Sequence, residues 1–177
     1  MSDDIKESIR VVAGLIEIAA ITAPKGKGVD DIRTKTIYKG SKEHKELVQK
    51  MKEYGDKKNL KFFLRDSNNV LNSDAIVLVS AIAKPPLGLN CGMCGYTCTT
   101  IPEKKKINDY FAPVCAFALV DLGIALGSAS KTAQILNLDN RVMYSIGATA
   151  VEMCLIEGDV VMGIPISVSS KNIYFDR

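Results

Sequence analysis

The run Ala75–Ala81, AIVLVSA, constrains the fold more than any other stretch of the chain. An uninterrupted apolar run of this length suits a strand buried on both faces of a sheet rather than one with a wet side. Such a strand needs cover above and below. Pro85–Pro86–Leu87–Gly88 ends it and delivers the chain into a loop with three cysteines.

The flanking sequence supplies candidate layers. Ile5, Ile9, Val12, Ile16 and Ala19–Ala20 recur in steps of three or four, which predicts a helix burying one face. It ends at ITAPKGKG, where Pro24 and two glycines force a loop. IRTKTIY alternates like a half-buried strand. Ser41 caps a solvent-facing helix, KEHKELVQKMKEYG, expected to stop near Gly55. Leu60–Leu64 reads as a strand or extended segment, followed by turn-rich DSNNVLNSD with a short helical turn.

The segment Pro113–Leu136 repeats small residues at helical spacing: Ala116, Gly123 and Gly127, and Ala118, Ala125 and Ala129. Tight core packing explains such a surface, and a flat cofactor or a dimer interface could also use it. Leu138–Arg141 is a break, and VMYSIGATAVEMCLI continues as helix or strand. The end, GDVVMGIPISVSSKNIYFDR, is strand-like, with an interruption at Gly163–Ile164–Pro165. Intermixed helices and strands give a mixed α/β or α+β class. The 177 residues suit one domain, 1–177, with a cysteine-rich segment at 88–115.

Charge and hydropathy exclude two function classes. A net charge of +3 and the absence of Trp do not suit nucleic-acid binding. No apolar run approaches the ~20 residues of a membrane span, and MSDDIKESIR lacks the character of a signal peptide. The expected compartment is the cytoplasm, where clustered thiols are ligands or catalysts more often than disulfides. The odd total of five cysteines argues the same way.

Cys91, Cys94 and Cys98 stand as C-x2-C-x3-C, and Cys115 follows after sixteen residues. Gly92 and Gly95 can take positive φ and let amides face the sulfurs. Three close thiolates and one remote one match the ligand number of an iron–sulfur cluster, the favoured reading. Zinc competes, although only one C-x2-C knuckle is present. A redox dithiol or a cofactor-free set of thiols are weaker readings. Cys154, in AVEMCLI, reads as a buried packing thiol.

NCGMCGYTC is similar to the NCGxCGY-type loop of small four-iron ferredoxin-type domains. The whole chain resembles a family of uncharacterised ferredoxin-domain proteins from anaerobic microbes. The likeness runs through TAPKGKGVDDI, VDLGIALGSASKTAQ, LDNRVMYSIGATA and VMGIPISVSSKNIYFDR. It implies a 4Fe-4S cluster on Cys91, Cys94, Cys98 and Cys115, in a loop one residue shorter than usual between Cys94 and Cys98.

ITAPKGKG, DLGIALGSASKTA and VMGIP also resemble the flavin-dependent nitroreductase family. That resemblance implies an α+β fold, a mixed sheet sandwiched by helices, with the cysteine-rich ferredoxin-type loop inserted. It also implies a homodimer with FMN at the subunit interface. The FMN candidates are Lys25, Lys27 and Arg177 at the phosphate and the small surface near Gly127 at the ring. Lys25 and Gly26 stand where the family's flavin loop is polar, and only Ser8 and Arg10 remain of its Arg/Ser-rich segment. The resemblance therefore implies the fold more directly than the flavin.

His44, the single histidine, reads as a surface residue of a charged helix, which disfavours Ser–His or Cys–His hydrolysis. Asp121, inside ALVDLGIA, must find a partner if buried and is expected to hold a structural hydrogen bond. Asp139–Asn140–Arg141 reads as a capped turn, with anion binding as a second role for Arg141. Lys104–Lys105–Lys106 is a solvated face or a docking point for an acidic electron carrier. The functional expectation is a redox protein serving a partner protein or a small-molecule electron acceptor. A non-enzymatic module with four cysteines on zinc is the alternative.

Overall fold

A computed structural model of the chain describes residues 2–83 and 85–175. Helix α1, Asp3–Thr22, starts at Ser2, whose hydroxyl accepts the Ile5 N–H, with Asp3 and Asp4 in the first turn. These acids complement the positive end of the helix dipole. A single 3-10 turn, Gly26–Gly28, leads into strand β1, Ile32–Tyr38. Helix α2, Lys42–Lys58, is capped by the Ser41 hydroxyl, which accepts the His44 N–H at 3.1 Å.

Helix α3, Lys61–Asn72, occupies the stretch expected to be extended. Phe63, Asp66, Ser67 and Val70 are its buried residues, at steps of three, one and three. That is a helical stripe, and it overrides the local strand character of Leu60–Leu64. Gly55 does not end α2, which runs on to a left-handed Asn59 (φ 54). A Cβ at Gly55 would lie 3.0 Å from the Phe63 Cβ, so this glycine admits α3 against α2.

Strand β2 is Ala75–Ala81, and all seven residues are buried. A two-residue hairpin follows the cysteine loop, β3 at Lys105–Lys106 and β4 at Phe111–Ala112. Helix α4 spans Ala116–Ile135, β5 is Asp139–Asn140, α5 is Tyr144–Glu152 and β6 is Val160–Ser167. The main sheet has the order β1-β2-β6-β5. Its described pairs are antiparallel throughout, where a mixed sheet was expected. β6 also runs unbroken through Gly163–Ile164–Pro165, in register with Leu78, Val77 and Ile76.

Burial follows the two-residue period of β2. Ala75, Val77, Val79 and Ala81 pack with α1 and α4, through Ala13, Ile16, Ala125 and Ala129 among others. Ile76 and Leu78 pack on the other face, with Leu47, Met51, Ile146 and Ala150 of α2 and α5. Burying each Val, Leu or Ile side chain contributes about 1.5–3 kcal/mol, so the strand anchors both layers. Of the small residues on α4, Ala118, Ala125 and Ala129 are buried, whereas Gly123 and Gly127 face out.

Two further readings are corrected. His44 is buried, not a surface residue, and its Nε2 lies 3.0 Å from the Val70 carbonyl oxygen. Cys154 is exposed, not a packing thiol; it follows α5 in the left-handed region (φ 51), where its side chain leaves the core.

The closest approach between layers is made by glycine. A Cβ at Gly147 would lie 1.7 Å from the Val161 carbonyl oxygen, and one at Gly163 would lie 2.1 Å from the Ile146 Cγ2. Gly147→Ala is expected to cost at least about 3 kcal/mol in urea unfolding, because backbone must move to admit the methyl. A second prediction concerns acid. Burial holds the His44 pKa below its ordinary value. The unfolded chain therefore binds the proton first as pH falls. Stability from this residue is full above pH ~6.5 and is lost as pH drops below that value. Equilibrium unfolding between pH 7.5 and 5.5 should show this slope, and His44→Gln should flatten it.

Candidate cysteine centre and its base

The cysteine segment leaves the end of β2 and returns to the hairpin ahead of α4, and one carboxylate holds both ends. Asp159 is buried just before β6. Its Oδ2 accepts the Ala83 N–H at 2.9 Å and its Oδ1 accepts Lys104 Nζ at 2.5 Å. Its own N–H donates to the Ala81 carbonyl at 2.8 Å, and its carbonyl accepts the Phe111 N–H at 3.3 Å. Asp159 falls within the strand-like tail, where nothing local marks it as the partner of both ends of the loop. The charge of Lys104 was the only available signal.

The loop itself turns on residues in the left-handed region: Asn90 (φ 48), Gly92 (φ 72) and Gly95 (φ 84). The Asn90 N–H donates to Cys98 Sγ at 3.3 Å, and the Cys98 N–H donates to Asn90 Oδ1 at 2.9 Å. The Gly95 N–H closes a turn on the Gly92 carbonyl at 2.9 Å, and the Cys94 thiol lies 3.7 Å from the Tyr96 carbonyl oxygen. Cys91 is exposed, and Cys94 and Cys98 are half-buried.

Cys115 stands apart from these three. It caps the N-terminus of α4 and is buried against Ala83 and Ala118, with Leu87, Val114 and Phe117 packed around it. Ala83 and Leu87 belong to the chain that enters the cysteine loop. The remote thiol therefore sits at the base of the segment whose tip carries the other three. Among the described residues, no three His, Cys, Asp or Glu side chains stand close enough together to hold a metal ion.

A cavity of about 340 Å³ opens beside Cys115, lined by Lys27, Asp31, Arg33, Leu87, Phe117 and Asp121 among others. Both carboxylate oxygens of buried Asp121 accept the Gly26 N–H, at 3.0 and 3.1 Å, which is the structural bond expected of it. A Cβ at Gly26 would meet Leu87 Cδ2 at 2.8 Å, so Leu87 would have to turn aside to admit one. Burial, and then the nearby Asp121 carboxylate, push the Asp31 carboxyl above the ordinary range. The Asp31 Oδ1 is buried without a hydrogen-bond partner.

Two of the residues foreseen as flavin contacts, Lys25 and Lys27, are engaged with backbone carbonyls. Lys25 Nζ donates to the Ile21 and Ala23 carbonyls at the end of α1. Lys27 Nζ donates to the Leu87 carbonyl at 3.3 Å. Gly127 is exposed on α4 and does not line the cavity that Lys27 helps to form. Arg177 lies outside the described residues. Arg141 donates to the Tyr174 carbonyl at 2.9 Å and lies over the Phe175 ring, so its role here is structural.

Beyond the loop, Asp109 anchors the returning chain. It accepts from the Tyr54 and Tyr144 hydroxyls and from Lys58 Nζ, tying the hairpin to α2 and α5. Burial and this carboxylate push the Tyr144 phenol up to about 12.

Comparison with known proteins extends this picture. Residues 111–177 match the family described as "Uncharacterized protein containing a ferredoxin domain", a span that includes Cys115. A protein of Archaeoglobus fulgidus, itself described as uncharacterized, is 39% identical over 173 residues, which cover 97% of this chain and 92% of that protein. A solved structure of an oxidoreductase containing FMN has a TM-score of 0.59 at 16% identity, covering 97% of this chain and 69% of the other. A Desulfovibrio desulfuricans protein described as a nitroreductase, in complex with FMN, has a TM-score of 0.60 at 15% identity, covering 100% and 80%. At such identities the likeness is one of fold: the chain has a nitroreductase-like α+β architecture.

Removing the Asp159 carboxylate should loosen the segment before it unfolds the domain. Asp159→Ala leaves the Ala83 N–H and Lys104 unpartnered, at a cost of about 1–3 kcal/mol. Limited proteolysis within residues 84–103 should accelerate at temperatures where circular dichroism still reports a folded sheet.

Proposed function

The chain belongs to the family of uncharacterized proteins containing a ferredoxin domain, and from that premise we propose that it is a cytoplasmic redox protein. In this reading Cys91, Cys94, Cys98 and Cys115 hold an iron–sulfur cluster of the 4Fe-4S type, which passes electrons to a partner protein or a small-molecule acceptor. The placement of Cys115 carries the reading: the fold seats it against Ala83 and Leu87, at the base of the loop that bears the other three thiols. The donor chemistry, though not a preassembled grouping of the thiols, is that of a cluster site. It supplies four sulfurs and a backbone amide that donates to Cys98 Sγ.

When bound, a cluster supplies one-electron transfer at a potential tuned by hydrogen bonds to sulfur and by exposure. The chain's own residues then have separable tasks. Asp159 holds the neck of the segment, and Asn90 clasps Cys98 across the loop. Leu87, Phe117 and Ala118 keep water from Cys115, while the thiols at the tip stay within reach of a partner.

Zinc on the same four cysteines is the competing assignment. FMN fits less well: Lys25 and Lys27 serve backbone carbonyls and Gly127 lies apart from them, so flavin is given no step here. A homodimer is part of the proposal. Val11, Leu15 and Ile18 of α1, and Leu119, Val120 and Ile124 of neighbouring α4, leave apolar stripes exposed that a second copy would cover.

The test is anaerobic purification with metal and sulfide analysis. About four iron and four sulfide per chain, with brown colour, are expected, and Cys115→Ser should lower both by at least about half. A colourless protein with one zinc per chain would overturn the cluster. Flavin released on heating would restore FMN, and sedimentation reads the dimer directly.

A further inference from the structure

We infer that Asn90 is the positioning residue for Cys98: its side chain holds that cysteine in place for a metal, and its backbone N–H donates to the sulfur. The inference rests on the function proposed above only in taking Cys98 as a metal ligand, whichever metal the thiols hold.

Asn90 and Cys98 are joined by two hydrogen bonds that run in opposite directions. The Asn90 N–H donates to Cys98 Sγ at 3.3 Å, and the Cys98 N–H donates to Asn90 Oδ1 at 2.9 Å. The pair closes a ring over residues 90–98, which contains Cys91 and Cys94. Cys98 also lies within a turn: the Thr100 and Ile101 N–H groups donate to the Thr97 carbonyl at 3.2 and 3.1 Å, and the Thr97 N–H donates to Thr100 Oγ1 at 3.1 Å. The backbone of Cys98 is therefore held by that turn and by Asn90, and its sulfur by Asn90. The Cys94 thiol, in contrast, donates to the Tyr96 carbonyl at 3.7 Å.

The identity of the residue points the same way. Asn90 is in the left-handed region (φ 48), as are Gly88 (φ 82), Gly92 (φ 72) and Gly95 (φ 84). Glycine meets that backbone demand without strain, and Asn meets it less freely. A fourth glycine would therefore serve the conformation at position 90, but it would supply no oxygen to the Cys98 N–H. The side chain is explained by the clasp and not by the turn. An N–H held on sulfur stabilises negative charge there, which raises the reduction potential of a bound cluster, and residues that orient a ligand slow the loss of its metal.

The test compares Asn90→Gly and Asn90→Asp with the unaltered full chain, each purified anaerobically and checked by circular dichroism for an intact fold. Asn90→Gly keeps the backbone conformation and the N–H but loses the carboxamide oxygen. Iron release to a chelator should quicken by about tenfold or more, and the reduction potential should fall as the N–H and the sulfur separate. Asn90→Asp keeps an acceptor oxygen and should bring release back toward the unaltered rate, at a potential lowered by its charge. The same proteins, stripped of metal, are then titrated with cobalt(II), whose charge-transfer absorption reports thiolate ligation. Asn90→Gly should bind it about tenfold more weakly, with a fainter band. The inference is overturned if Asn90→Gly matches the unaltered chain in release and in cobalt affinity, if Asn90→Asp does no better than Asn90→Gly, or if no cobalt–thiolate band forms. Zinc in place of iron, with the cobalt affinities ordered as expected, would leave Asn90 its role and remove the cluster. Iron and sulfide retained equally by every variant would do the reverse.

Discussion

Burial of β2 on both faces is the constraint from which the rest of the molecule follows. A strand without a wet side must be covered twice, and its alternating side chains divide the chain into an α1–α4 layer and an α2–α5 layer. β6 shares that burial and brings the layers together, because Gly147 and Gly163 remove the side chains that would hold α5 away from it. Small residues do the same work on α4, where Ala125 and Ala129 let α1 lie close over the sheet.

The cysteine segment depends on that sheet rather than on itself. It starts where β2 ends, and its internal hydrogen bonds join residues 90–101 to one another rather than to the sheet. Its order comes from the neck, where the start of β6 presents Asp159 to both Ala83 and Lys104. The same turn places Cys115 beside Ala83. The central strands thus position the thiols through one buried carboxylate and one helix N-terminus.

Several parts of this arrangement were legible from residues alone. The strand at Ala75–Ala81, the strand IRTKTIY, the Ser41 cap and the first helix all follow from local periodicity or capping chemistry. So does the need of Asp121 for a partner, although the Gly26 amide that meets it is 95 residues away. Other features were misread where distant packing outweighed local signals. Leu60–Leu64 is helical because Phe63 packs into Gly55 of the preceding helix. Pro165 does not break β6, since neighbouring strands on both sides hold it in register. His44 is buried by a helix that its own charged sequence does not mention, and Cys154 is exposed despite its apolar neighbours.

The candidate site divides along the same line. Spacing along the chain determined the thiol set: C-x2-C-x3-C, the glycines that let it turn, and a fourth cysteine at a fixed distance in sequence. Tight turns are local, so a linear pattern can encode them. Only the tertiary structure decided that Cys115 lies at the base of that loop and that Asp159 closes its neck. Those relations join residues many tens of positions apart, and they exist because both faces of one apolar strand had to be buried at once.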